Sequence, residues 1–404
     1  MNRSTSRLSL ALAIIASLGN ASARGQSLHV ERSVIVVGDD QWDWTQARTA
    51  YVPDRKLCVT TMSRTAKAGA HGYHDVYRVV SHDQGATWSE PVPIPALRRA
   101  LQDDGYEVVA GDLWPTLHNV SGRILVTGKT FNFADGVKEN FLRERVSYAV
   151  IQPGSLACGP LELLEMPRLD HDRKPIMAPN AGCHQRVDLS NGDVLLPVRY
   201  QRDPKRRVYV SVVAKCQFDG HKLEYLEHGS EHSIPRGRGL YEPSLAELHG
   251  EYFLTMRADD DAYVAKGSDG IHFGDHRPWT FDDGKSLGSY HTQQHWVKLK
   301  GKLYLVYTRR GANNDHIMRH RAPLFIGQVD PATLSVIRAT EQVLVPENHA
   351  TLGNSGVCVL SDREVWVTVA EGRVTQGKRS GEPNRVILAK ITAPSGSRNG
   401  PRDE

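Results

Sequence analysis

Six stretches of this chain alternate apolar with polar or small residues, each opened by Gly or a charged residue: RKLCVTTMS around Lys56, GRILVTGK around Arg123, GDVLLPVRY around Asp193, GEYFLTMRA around Glu251, GKLYLVYTR around Lys302 and REVWVTVAE around Glu364. The alternation has the period of a strand, not of a helix, and the runs are rich in Val, Leu, Ile, Tyr and Trp. They recur every 51 to 70 residues. Such a spacing marks an internal repeat. No amphipathic helix of three turns interrupts it.

Each interval leaves room for four short strands. Six sheets of that size set side by side would leave their edges open, and closing them into a ring protects those edges. The predicted fold is all-β: a six-bladed β-propeller of four-stranded antiparallel blades over residues 28–392. Residues 1–23 read as a signal peptide, with Arg3 and Arg7, an apolar run too short to span a bilayer comfortably, and Ala21-Ser22-Ala23 as a cleavage signal. The mature chain is therefore expected to be secreted or periplasmic. After Thr392 the sequence APSGSRNGPRDE reads as a disordered tail, assigned to 393–404.

The 404 residues carry a formal charge of only +4, so no bulk attraction to nucleic acid is implied, and an anionic partner must be gripped locally. The five cysteines (Cys58, Cys158, Cys183, Cys216, Cys358) are scattered without a C-x-x-C pair. No metal-ligand cluster, phosphate-cradling glycine loop or nucleophile elbow is found, so no cofactor and no metal is expected.

The octet SHDQGATW, Ser81 to Trp88, has the residues of a hairpin turn. Asp83 can accept from turn amides, Gly85 supplies a positive φ, and Trp88 can wedge between sheets. A second, degraded copy is KGSDGIHF, with Ser268, Asp269, Gly270 and Phe273. Both are read as structural.

The octet is similar to the Asp-box (BNR repeat) of the sialidase, or neuraminidase, superfamily, and the six repeats resemble the six blades of those propellers. That resemblance implies an exo-α-sialidase-like glycoside hydrolase and three arginines on the sugar carboxylate. Guanidinium groups suit this task because they bond carboxylates bidentately and stay charged when buried. Arg48 resembles the first, without the family's Ile and Pro after it; Arg257 resembles the second; Arg321 resembles the third, with Arg319 as competitor.

Glu242 precedes Arg257 by fifteen residues in YEPSLAELHGEYFLTMR, the family's spacing for the Glu that polarises a tyrosine nucleophile. Glu371 resembles the carboxylate that orients the first arginine. Asp75, the one carboxylate of SRTAKAGAHGYHDVYRVV, stands for the loop acid, with His74 beside it as an alternative proton carrier. Trp114 and Arg186, near the starts of blades two and three, are candidate subsite walls.

The chain departs from the family at the nucleophile. Asn354 or Ser355 in TLGNSGVCVLSDREVWVTVAE stands where the phenol is expected. Tyr290, His291 and His295 in GSYHTQQHW, expected on the innermost strand of blade five, offer proton chemistry instead. Asn313, Asn314, Asp315 and His316 add a polar loop.

The resulting expectation is an exported monomer that hydrolyses a terminal acidic sugar, sialic acid or a related uronate, from a glycan, with neither nucleic acid nor a membrane span as partner. A polysaccharide lyase and a carbohydrate-binding propeller without catalysis are the two alternatives.

Overall fold

The computed structural model describes residues 27–66, 72–138, 141–375, 378–379 and 382–393. The proposed signal peptide, the tail beyond Ala393, and residues 67–71 of the blade-one loop lie outside the described residues.

Six antiparallel sheets form a six-bladed β-propeller. Blade one comprises Trp42–Val52, Leu57–Ala66, Tyr73–Ser81 and Val92–Pro93, and blade two Glu107–His118, Arg123–Ala134, Val146–Ile151 and Glu162–Leu163. Blade three comprises Met177–Asn180, Val194–Gln201, Tyr209–Phe218 and Leu223–His228, and blade four Tyr241–Leu248, Glu251–Arg257, Ala262–Gly267 and Arg277–Pro278. Blade five is built on His295–Leu299, Lys302–Tyr307, Leu324–Asp330 and Ser335–Val336. Blade six joins Ser355–Val359, Glu364–Ala370 and Arg385–Thr392 to His29–Val37 from the other end of the chain. That exchange closes the ring through backbone hydrogen bonds.

The six repeated runs are the second strands of the six blades. These strands are almost wholly buried, as in Val194–Gln201, because each packs against a neighbouring blade on both faces. The core is accordingly six apolar layers between consecutive blades. Leu57, Val59, Ile124 and Val126 fill the layer between blades one and two. Cys58, Met62, Cys358 and Trp366 fill the one between blades one and six. All five cysteines are free thiols.

The octet closes a turn between the third and fourth strands of blade one. Asp83 Oδ1 accepts from Thr87 N at 2.9 Å and from the Ser81 hydroxyl at 2.8 Å, and Ser81 Oγ accepts from Gly85 N at 2.8 Å. Gly85 has φ +74°, and a Cβ there would stand 2.8 Å from the Trp366 ring. Trp88 meets the same ring edge-on at 6.4 Å, so the turn braces blade one against blade six.

Inner strands begin, and second strands end, at one face of the ring. Four inner strands carry a bulge there, each with a non-glycine residue at positive φ: Gln46 (+58°), Asp112 (+51°), Ala178 (+46°) and Glu242 (+48°). A bulge re-aims one side chain out of the strand's alternation. Left-handed backbone on such residues costs free energy and persists where the surroundings impose it, commonly at functional sites.

Candidate functional site

Three of the bulges bring polar side chains to the centre of this face. Glu242 ion-pairs with Arg257, whose backbone lies opposite Tyr241 at the end of the adjacent strand. Burial pushes the Glu242 carboxyl up, but Arg257 outweighs it and holds the group down at about 2. Asp112 pairs with Lys129 at 3.0 Å. Gln46 accepts from Asp112 N at 2.8 Å and from the Ser63 hydroxyl at 3.1 Å.

Lys129, Arg199 and Arg257 occupy equivalent positions in the second strands of blades two, three and four. Arg199 bonds Glu144, which also accepts from Asn180 Nδ2 at 2.8 Å. Its guanidinium lies 4.0 Å from the Tyr209 ring centre, and that of Arg257 lies 4.8 Å from the Tyr241 ring centre. The Tyr241 hydroxyl donates to Asp259 at 2.6 Å, and Arg238 bonds the same carboxylate.

Arg321 enters this cluster from the loop after the second strand of blade five. Its Nε donates to the His291 carbonyl at 3.2 Å, and its Nη2 donates to the same oxygen. No carboxylate among the described residues lies within ion-pairing distance of it. Burial and the neighbouring Arg257 together push its pKa down to about 9. Lys129, Arg199, Arg238 and Arg257 each have a carboxylate partner. Of these five cations Arg321 is the one left over, and the buried Nε of Arg257 lacks a hydrogen-bond partner. Buried donors without partners are rare in folded chains.

Tyr73 reaches the same space from the start of the third strand of blade one, stacked on Phe131 with ring centres 4.6 Å apart. Burial and Asp112 push its phenol up to about 12, against the pull of Lys129 and Arg321. Its side chain is half-buried.

The other expected residues lie elsewhere. Arg48 sits in mid-strand, fully buried over the Trp114 ring at 5.2 Å, and donates to Ser355 O at 3.2 Å, Leu113 O at 3.3 Å and Gln293 Oε1 at 3.2 Å. Asn354 accepts from the same Gln293 at 3.1 Å. Glu371 bonds Arg373 and Arg385 rather than Arg48. Arg186 is locked to Asp188 at 2.8 Å and to two backbone carbonyls. Trp114 and Arg186 line a cavity of about 360 Å³ with Cys358 and Gln185, beside the ends of the inner strands.

Asp75 belongs to the third strand of blade one and accepts from Arg99 N at 2.8 Å, while His74 packs edge-on to Trp42 at 5.3 Å. The inner strand of blade five starts only at His295, so Tyr290 and His291 are in the segment before it. Tyr290 meets His291 edge-on at 5.6 Å, and the three side chains have separate hydrogen-bonding partners. The Tyr290 hydroxyl bonds His320 Nδ1 at 2.5 Å; His291 faces Arg238 and Asp259; His295 bonds the Ser244 hydroxyl at 2.9 Å. Burial pushes His291 down to about 4 and His295 well below its ordinary value.

Sequence reading missed Lys129, Arg199, Asp112 and Tyr73. Three second-strand repeats end in a cation at the same offset, VTGK, LPVR and LTMR, and that periodicity was the available signal.

No family model matches the sequence, and no curated protein matches it. Its fold is similar to that of a Dyadobacter fermentans protein of unknown function, at TM-score 0.65 and 14% identity over 90% of this chain and 99% of the other. It is also similar to Trypanosoma rangeli sialidase, at TM-score 0.63 and 14% identity. The Hadza microbial sialidase Hz136 is similar at TM-score 0.61 and 12% identity. The match covers 89% of this chain but 59% of the trypanosomal chain, and 87% of this chain but 66% of the Hadza chain.

Proposed function

We propose that this chain is a sialidase-like glycoside hydrolase that binds a terminal acidic sugar with its carboxylate against Arg321 and Arg257. The observation that carries the reading is the charge balance among Lys129, Arg199, Arg238, Arg257 and Arg321, of which only Arg321 has no carboxylate partner among the described residues. One sugar carboxylate would supply it, with charge-assisted bonds to both guanidinium groups. Glu242 keeps Arg257 charged and aimed. Tyr73, held protonated at neutral pH, is suited to hydrogen-bond a sugar oxygen through its hydroxyl rather than to attack as a phenolate.

The likeness of fold to the Trypanosoma rangeli sialidase, known in complex with sialic acid, supports the substrate class. Export by the N-terminal segment and action as a monomer belong to the same proposal. The test is turnover of fluorogenic glycosides of sialic and uronic acids beside their neutral counterparts. The acidic substrates alone should be cleaved, and Arg257→Ala should abolish cleavage. Turnover unchanged in that variant sinks the proposal.

A binding-only role is the second reading, favoured by Asn354 and its bond to Gln293 where the family has a phenol. Tight binding of acidic sugars without any turnover would select it.

A further inference from the structure

We propose that His316, Glu347 and His349 form a binding site for a zinc-class divalent cation at the rim of the same face. His316 lies in the blade-five loop that ends in Arg321, and Glu347 and His349 lie in the connection that leads into blade six. The two segments meet only in the fold, which is why the sequence led to no expectation of a metal.

The distances favour coordination over hydrogen bonding. His316 Nε2 is 3.5 Å from Glu347 Oε2, and His349 Nδ1 is 3.7 Å from Glu347 Oε1. Both exceed the 2.7 to 3.2 Å range of N–H···O bonds. Ligand atoms about 2.1 Å from a tetrahedral zinc stand about 3.4 Å from one another. The three side chains offer ligand atoms all within 4.8 Å of each other. The rings are tilted by 59°, with centres 6.3 Å apart, so their nitrogens can turn toward a common point. The histidine side chains are 53% and 82% exposed and free to make that adjustment.

A second group, His171, His228 and Glu231, has similar spacing but a poorer arrangement. Its rings stack 4.3 Å apart and within 4° of parallel, so their in-plane lone pairs run side by side instead of converging. Glu231 is also taken by Arg202, whereas among the described residues Glu347 accepts only from the His349 backbone N–H through Oε1 and keeps Oε2 for an ion. Two imidazoles with one carboxylate suit zinc or its neighbours among the transition metals, whereas calcium and magnesium prefer all-oxygen sites. An ion here would tie the connection to the loop that presents Arg321, whose carbonyl already accepts from Leu352 N at 2.6 Å.

The test is titration of the tag-free full chain with cobalt(II), followed by visible absorption, and with zinc, followed by calorimetry. One site is expected in the wild type. His316→Ala and His349→Ala should each weaken it at least about tenfold, by loss of one of three ligands, with melting temperatures in metal-free buffer unchanged. His171→Ala should bind as the wild type does. No binding by the wild type, binding unaltered in both His316 and His349 variants, or loss in His171→Ala alone would each overturn the proposal.

Discussion

Glu242 and Arg257 pair across the first hairpin of blade four, fifteen residues apart, because a bulge turns Glu242 out of its strand toward the guanidinium. The pair is largely buried, at 20% and 7% side-chain exposure. Attraction offsets the cost of desolvating both ions only while both are present. Glu242→Gln should therefore lower stability by about 2 to 4 kcal/mol, since it strands a buried cation. Urea denaturation of the two proteins measures the difference, and an unchanged midpoint would contradict the pairing.

Arg321 should behave in the opposite way. It is desolvated without a carboxylate partner, so Arg321→Met removes an uncompensated charge. The melting temperature should hold or rise while affinity for acidic sugars falls at least about tenfold, the equivalent of one charge-assisted bond. A stability loss as large as that of Glu242→Gln would show that the bonds of Arg321 to the His291 carbonyl outweigh the cost of its buried charge.

The histidines set a pH dependence. Burial holds His291 and His232 down at about 4 and His184 at about 3, against an ordinary value of 6.5. Between those values the unfolded chain binds protons that the folded chain refuses. Their stabilisation is whole above pH 6.5 and is lost as pH falls toward 3. Glu242, depressed from 4.5 to about 2, adds a further loss below pH 4.5. Urea midpoints measured from pH 8 to 4 should be flat at first and then drop from about pH 6.5, the ordinary histidine value.

The turn residues should affect stability alone. Gly85→Ala places a methyl against the Trp366 ring at a φ that L-residues disfavour, and should cost about 1 to 3 kcal/mol. Sugar binding by the folded fraction should not change.

The fold was legible because every second strand packs on both faces and must be apolar, which repeats the same run six times. The site was less legible. Inner strands are interrupted by bulges, so Asp112 and Glu242 break the alternation that would have marked their strands. Lys129 and Arg199 follow apolar runs, where a cation ordinarily reads as solvated; their convergence depends on ring closure between distant segments. Arg48 has the residue type expected of a carboxylate ligand, but its mid-strand position spends its donors on the backbone carbonyls of neighbouring blades and on Gln293.

The most direct test of the central claim is calorimetric titration with an acidic monosaccharide and with its uncharged methyl ester, using the wild type and Arg321→Met. Binding of the acid alone, by the wild type alone, is the predicted result. Equal binding of acid and ester, or undiminished binding of the acid by Arg321→Met, would show that no sugar carboxylate meets Arg321.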